Sequence, residues 1–222
     1  SRDVVLKRNI IFWKKKMKQN PYDVVKMFEQ SVADYTGAPY AVSLDSCTNA
    51  LFLCCMYENV KGKEVRIPKQ TYLSVPQSIM HAGGEVVFED LRWQGIYQLK
   101  PFPIFDAAKR FTSDMYRPGT HMCLSFHIKK HLKIGKGGMI LTDSKEMSDW
   151  AREARYEGRS EGVRYQDDDI KILGWNMYMT PQQASHGLAL MQNFPRLNPD
   201  IPESPPYRDL TEFTLFKDCK VR

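Results

Sequence analysis

The most informative segment of the chain reads Ser125-Phe126-His127-Ile128-Lys129-Lys130, and a glycine turn, Gly135-Lys136-Gly137-Gly138, follows it. The apolar residues 122–124 precede the segment and predict a buried strand, and residues 139–142 predict a second strand after the turn. A hydroxyl group and several amines therefore stand where a buried strand ends. Lysines are rarely placed at such a position unless their charge or their nucleophilicity is used there.

The amines of this segment crowd one another, because Lys129, Lys133 and Lys136 surround Lys130 in the sequence. Neighbouring cations disfavour the ammonium form of a lysine and make its amine a better nucleophile. A lysine that forms a Schiff base with pyridoxal phosphate requires this property. The alternative interpretation is a solvated basic hairpin. Taken alone, this segment favours the hairpin.

Composition is typical of a globular protein. The chain has 222 residues, of which 42% are hydrophobic and 26% charged, so one large domain with a sizeable core is possible. The net charge is +6, which makes anionic ligands plausible but is modest for a dedicated nucleic-acid binder. A basic nucleic-acid module using residues 14–18 and 129–136 ranks last, because these lysines are far apart and lack interleaved aromatic residues. We therefore expect no nucleic-acid partner.

The cysteines indicate a reducing compartment. There are five cysteines, with neither a paired framework nor metal-ligand spacing, so no metal site is predicted.

No signal peptide is expected, because the apolar segments near the start are short and are interrupted by lysines at 14–16. No apolar run is long enough to span a bilayer. We expect a cytoplasmic protein without a membrane partner.

Strand and helix patterns alternate along the chain. Beyond the central segment, strands are predicted at residues 40–44, 64–68, 85–89 and 102–106, and helices at residues 21–37, 46–56, 75–82, 144–157 and 180–193. Helices between strands imply crossover connections and an α/β fold with a mainly parallel sheet flanked by helices. Such sheets bind ligands outside the carboxyl ends of their strands.

The chain changes character from Pro195 onward. Five prolines between 195 and 206 make this stretch a poor candidate for packed regular structure, and it is too short to form an independent domain. The predicted organisation is one domain at residues 1–194 and a proline-rich tail at residues 195–222.

Asp106 ends a predicted buried strand. A buried carboxylate needs a cationic partner, because burying it alone costs several kcal/mol. A pyridinium nitrogen is such a partner, and its protonated form makes the ring an electron sink. A carboxylate that caps a following helix is an equally good explanation.

Two further positions suit the same ligand. The sequence Ser46-Cys47-Thr48-Asn49 stands where a strand turns into a helix, and the free N–H groups there suit a phosphate, with the Thr48 hydroxyl adding a contact. A simple N-cap is the commoner explanation. Tyr72 could lay its ring on a planar cofactor, although a core or surface tyrosine is the default.

These residues also resemble the DegT/DnrJ-type (StrS-like) sugar aminotransferases. The similarity runs from about residue 22 to 191, and its motifs stand in the family's order at residues 41–51, 68–72, 106–108, 125–130, 135–138, 173–177, 180 and 183–184. The resemblance implies a three-layer fold of pyridoxal phosphate enzymes of fold type I. It also implies amination of a keto group on a nucleotide-linked sugar, usually with glutamate as amino donor.

The resemblance also implies roles for single residues. Lys130 corresponds to the catalytic Schiff-base lysine, and Asp106 to the partner of the pyridinium nitrogen. Thr48, Asn49 and Ser125 fall at phosphate-binding positions, while Tyr72 and Lys109 fall at other cofactor-binding positions. Asn176 resembles an asparagine that reaches a phosphate across a dimer interface, which implies a homodimer.

The chain departs from the family pattern in sequence and length. The family usually has glycine at Cys47, glutamine at Lys109, glutamate at Lys136 and arginine at Tyr178. Its smaller C-terminal domain is largely absent here, and the proline-rich tail has too little apolar periodicity to rebuild a lid. We therefore expect an open substrate side. The alternative function is a cofactor-binding homologue without turnover, in a regulatory or partner-dependent role.

Overall fold

The computed structural model describes residues 20–202 and 206–222, and the basic stretch at 14–18 lies outside them. Its α-helices are α1 (Asp23–Thr36), α2 (Cys47–Tyr57), α3 (Ser74–His81), α4 (Lys145–Ala154) and α5 (Pro181–Met191). Its strands are β1 (Tyr40–Leu44), β2 (Glu64–Pro68), β3 (Glu85–Glu89), β4 (Tyr97–Leu99), β5 (Ile104–Asp106), β6 (His121–Ser125), β7 (Gly138–Thr142) and β8 (Lys220–Val221).

The strands form two sheets. The larger has the order β1-β7-β6-β5-β4, and the smaller has the order β2-β3-β8. Pairing is parallel for β5–β6, β2–β3 and β3–β8, and antiparallel for the other three pairs. Two backbone hydrogen bonds between Arg66 and Lys100, of 2.8 and 3.0 Å, connect the sheets. The predicted α/β fold is confirmed, with a sheet of mixed direction.

Apolar side chains alternate between two cores on opposite faces of the larger sheet. In β6, Met122 and Leu124 lie in the core beneath α1 and α5, whereas Cys123 lies in the core beneath α2 and α3. Ile140 of β7 joins Cys123. Successive residues of a strand point to opposite faces, so an unbroken apolar run fills both cores. The sheet therefore lies between two helical layers.

The helix boundaries follow local chemistry. Val25, Phe28 and Val32 recur at helical spacing and are buried along α1. Gly37 ends that helix in the left-handed conformation, at a φ of 78°, and its N–H donates to the Ala33 carbonyl. At the start of α2, the Ser46 hydroxyl accepts a hydrogen bond from the Asn49 N–H.

The prediction that the stretch after Pro195 lacks packed regular structure is wrong for its last part. Residues Leu210–Glu212 and Thr214–Phe216 form short 3-10 helices, and β8 adds to the edge of β3. Leu210 and Phe216 are buried in the core beneath α2 and α3. Single turns and a two-residue strand are too short to show a periodic pattern of apolar residues, so the sequence did not indicate them. The short strand β4 was missed for the same reason.

The α-helices that the structure describes have between 8 and 14 residues. None of those within residues 20–202 and 206–222 combines the length and the apolar character that a membrane span requires.

A buried ion-pair cluster joins α1, β1 and α4. Both Glu29 oxygens accept from guanidinium groups, at 2.6 Å from Arg155 and 2.7 Å from Arg152. The N–H and hydroxyl of Ser43 also donate to Glu29, at 2.9 and 2.8 Å. Burial raises the pKa of Glu29, but the two arginines and the Ser43 N–H outweigh burial and lower that pKa to about 2. Glu29 is therefore ionised and held from four directions.

We expect Glu29→Gln to lower the free energy of unfolding by about 3 kcal/mol at pH 7, because it leaves the charge of Arg155 incompletely paired. Asp149→Asn is the control: it removes a carboxylate from an exposed pair with Lys145 and costs less than about 1 kcal/mol. Urea unfolding measures both values.

The wild type and Glu29→Gln, compared at several pH values, also test the pKa of Glu29. A folded-state pKa below the unfolded value stabilises the fold above about pH 4.5, and this stabilisation is lost as the pH falls toward 2. The stability difference between the wild type and Glu29→Gln should therefore shrink over that window. A difference that stays constant from pH 6 to pH 2 would show that the Glu29 charge contributes nothing.

Candidate functional site

Several of the predicted site residues lie at one edge of the larger sheet. Asp106 ends β5 and Ser125 ends β6, and these two strands are parallel neighbours in which Asp106 pairs with Cys123. The helix α2 begins beside them, because the Cys47 thiol lies 3.7 Å from the Cys123 carbonyl oxygen. The carboxyl ends of two strands and the N-terminus of a helix thus converge, as the sequence predicted.

Asp106 is buried and held by two donors. The Tyr97 hydroxyl donates to its Oδ2 at 2.8 Å, and the Ala108 N–H donates to its Oδ1 at 2.9 Å. Burial raises the pKa of Asp106, while those hydrogen bonds and the charges of Lys130 and Lys109 oppose the increase. The residues after Asp106 form a turn rather than a helix, so the helix-cap explanation does not apply.

Tyr97 is a site residue that the sequence reasoning missed. Its hydroxyl lies between the Asp106 carboxylate and the Thr71 hydroxyl, which is 2.6 Å away. Burial and the negative charge of Asp106 raise the pKa of Tyr97, so it remains a hydrogen-bond donor at neutral pH. A tyrosine in a three-residue strand gave no sequence signal.

Lys130 faces the same edge. It is half-buried while the adjacent Lys129 is exposed, and its charge acts on the pKa values of both Asp106 and Cys47. The Lys130 N–H donates to the His127 carbonyl at 2.8 Å, which fixes the turn that carries this residue. The crowding by Lys136 is reduced, because its ammonium pairs with Asp45 at 3.1 Å.

The polar side chains at the start of α2 are held by neighbours within the fold. The Thr48 hydroxyl contacts Ser74 at 2.9 Å, and the Asn49 amide donates to Asp45 at 2.6 Å. Gly138 of β7 lies against the same turn, where an added Cβ would be 2.3 Å from the Ser46 carbonyl carbon. Only glycine allows β7 and the first turn of α2 to approach so closely.

Lys109 lies against a group of aromatic rings. Its Nζ is 5.3 Å from the centre of the Trp93 ring and 4.6 Å from that of Tyr207. The exposed Tyr72 ring lies 6.2 Å from Tyr207. Trp93 and Tyr207 were missed, the latter because it stands in the proline-rich stretch.

Asn176 is placed apart from this group. It pairs with Tyr156 through an isolated β-bridge and donates from its side chain to Glu157 at 2.9 Å. The following residue, Met177, accepts a hydrogen bond from the Asp45 N–H at 2.8 Å. The loop of Asn176 thus borders the site, while its amide bonds to Glu157.

The donor set fits pyridoxal phosphate. A buried carboxylate suits a pyridinium nitrogen, a nearby amine suits an aldehyde, and free helix N–H groups with hydroxyls suit a phosphate. Within residues 20–202 and 206–222, no group of three or more His, Cys, Asp or Glu side chains could hold a metal ion.

Comparisons with known proteins identify the family of the chain. The sequence pattern of the DegT/DnrJ/EryC1/StrS aminotransferase family matches residues 12–113 and 104–200. The spore coat polysaccharide biosynthesis protein SpsC of Bacillus subtilis is 27% identical, over 74% of this chain and 55% of that protein. GDP-perosamine synthase of Caulobacter vibrioides is 26% identical over the same shares. The chain therefore spans about half the length of these curated relatives.

Solved structures share the fold. A putative PLP-dependent aminotransferase from Bacillus cereus superposes with a TM-score of 0.66 at 18% identity. The superposition covers 81% of this chain and 62% of that structure.

Proposed function

Because the chain belongs to the DegT/DnrJ/EryC1/StrS aminotransferase family, we propose that it is a pyridoxal-phosphate-dependent sugar aminotransferase. Its substrate is a keto group on a nucleotide-linked sugar, and glutamate is the amino donor. The observation that carries the proposal is the buried Asp106 carboxylate at the same sheet edge as Lys130 and the start of α2. When bound, pyridoxal phosphate supplies an electron sink for this chemistry.

Each residue has a definite task in this proposal. The Lys130 amine holds the cofactor covalently and then carries a proton at Nζ as general base and acid. Asp106 would keep the ring nitrogen protonated, and the Tyr97 hydroxyl fixes the carboxylate. Thr48, Asn49 and Ser125 bind the phosphate together with the first N–H groups of α2. Tyr72 would contact the cofactor ring.

The names of two relatives support the proposed substrate class. One is named a GDP-perosamine synthase and another a polysaccharide biosynthesis protein, and both names concern sugars. An anionic nucleotide sugar also agrees with the net charge of +6.

We also propose a cytoplasmic homodimer. The five cysteines are free, and the sulfur atoms of Cys54 and Cys123 lie 3.6 Å apart without a bond, which supports a reducing compartment. In the homodimer, Asn176 would bind the phosphate of the partner's cofactor in place of Glu157. The loop position of Asn176 beside Asp45 supports this arrangement.

Lys130, and not Lys129, should carry the cofactor, because it is the half-buried one of the two and lies within electrostatic reach of Asp106. We expect borohydride reduction with pyridoxal phosphate, followed by peptide mass mapping, to label Lys130. Lys130→Ala should lose the label, whereas the control Lys129→Ala should keep it. A label on Lys129 in the wild type would refute the assignment.

Asp106→Asn should slow the half-reaction with glutamate by about 100-fold or more, because a neutral amide does not keep the ring nitrogen protonated. Single-turnover absorbance measures this rate, and circular dichroism checks the fold. Asp90→Asn, at an exposed carboxylate just after β3, is the control and should react as the wild type does. An Asp106→Asn protein with the wild-type rate would make Asp106 a structural residue only.

The shared site predicts complementation between subunits. Lys130→Ala and Asn176→Ala should each be inactive as homodimers. If subunits exchange randomly and each site takes residues from two chains, a mixture of the two variants should regain about a quarter of the wild-type activity.

Light scattering should show that the wild-type chain is a dimer. A monomer that binds pyridoxal phosphate tightly would contradict the arrangement. If cofactor binds but no amino donor changes the spectrum, the protein is the homologue without turnover.

A further inference from the structure

The C-terminal stretch crosses the same edge of the sheet as the cofactor residues. The Ile201 N–H donates to the Lys109 carbonyl at 2.9 Å, and His131, next to Lys130, contacts the Pro199 carbonyl at 2.8 Å. Asp200 accepts two hydrogen bonds from Arg110, at 2.8 and 2.7 Å. These contacts attach the stretch directly beside Lys109 and Lys130.

The part after residue 206 is anchored independently. The Leu210 N–H donates to the Lys69 carbonyl at 2.9 Å, and the Lys69 ammonium pairs with Asp209 at 3.2 Å. The side chains of Leu210 and Phe216 are buried, and β8 pairs with β3. Tyr207 therefore projects from a backbone fixed just beyond it, so its ring position is determined by packing.

The ring of Tyr207 contacts two residues of the cofactor site. It lies 4.6 Å from the Lys109 ammonium and 6.2 Å from the Tyr72 ring, and it is stacked with Trp93 at an interplanar angle of 15°. Lys109 is only 7% exposed, and these rings are among the groups that hold its side chain. An aromatic face stabilises such a cation and restricts its flexible side chain.

We propose that Tyr207 is a positioning residue of the cofactor site, which holds the Lys109 ammonium against Trp93 so that it binds an anionic oxygen of pyridoxal phosphate. This inference rests on the proposed function. In this proposal Tyr207 forms part of the wall of the cofactor site. The charge of Lys109 also acts on Asp106, which links this wall to the carboxylate.

The test measures the dissociation constant of pyridoxal phosphate for the full chain by absorbance titration. Tyr207→Leu should weaken binding about 5- to 10-fold because the cation–π contact is lost, whereas Tyr207→Phe keeps a ring and should stay within about 2-fold. The control is Phe213→Leu, which removes a ring that faces Arg208 in the same stretch. It should also stay within about 2-fold.

A double-mutant cycle separates positioning from general packing. If Tyr207 acts through the ammonium, Tyr207→Leu should have no further effect on the dissociation constant in a Lys109→Met background. An equal loss in that background, or an equal loss in Phe213→Leu, would overturn the inference. If Tyr207→Leu binds pyridoxal phosphate with wild-type affinity, the inference about Tyr207 is wrong but the proposed function is unaffected. A wild-type chain that does not bind pyridoxal phosphate would overturn the proposed function with it.

Discussion

Burial of the Asp106 carboxylate is the constraint around which this edge of the sheet is built. Removing such a charge from water costs several kcal/mol unless donors and cations compensate. The chain supplies a phenol from β4, a backbone N–H from the following turn, and the charges of Lys130 and Lys109. These contributions leave the pKa of Asp106 above its ordinary value, so a further cation at this position would stabilise the ionised form.

A comparison with Glu29 shows how differently the chain treats two buried carboxylates. Glu29 receives two guanidinium groups as well as the N–H and hydroxyl of Ser43, and its pKa falls to about 2. Asp106 receives a phenol and an N–H, and its pKa rises. The charge of Glu29 is satisfied within the fold and joins α1 to β1 and α4. Asp106 keeps the capacity to interact with a ligand cation, which is the property a cofactor site needs.

Much of this arrangement could be predicted from the sequence. Short segments rich in apolar residues indicated the strands at 40–44, 64–68 and 85–89. The expected crossovers placed Asp106, Ser125 and Thr48 at one edge of a sheet. Tyr97 could not be predicted, because its strand has three residues and the pairing that directs it toward Asp106 is made by the fold. Tyr207 was hidden for a different reason. Prolines exclude long periodic elements, but they do not prevent single turns from packing on an existing core.

Cys47 stands where the family pattern usually has glycine, and its side chain is held beside β6. Its thiol lies beside Cys123 and within electrostatic reach of Asp106 and Lys130. Burial raises the pKa of Cys47 well above its ordinary value, and the negative charge of Asp106 raises it further, although Lys130 opposes the effect. A thiol in this state is a weak nucleophile, because the thiolate is the reactive form. Cys47 therefore fills the space between α2 and β6 without competing with the Lys130 amine for an aldehyde.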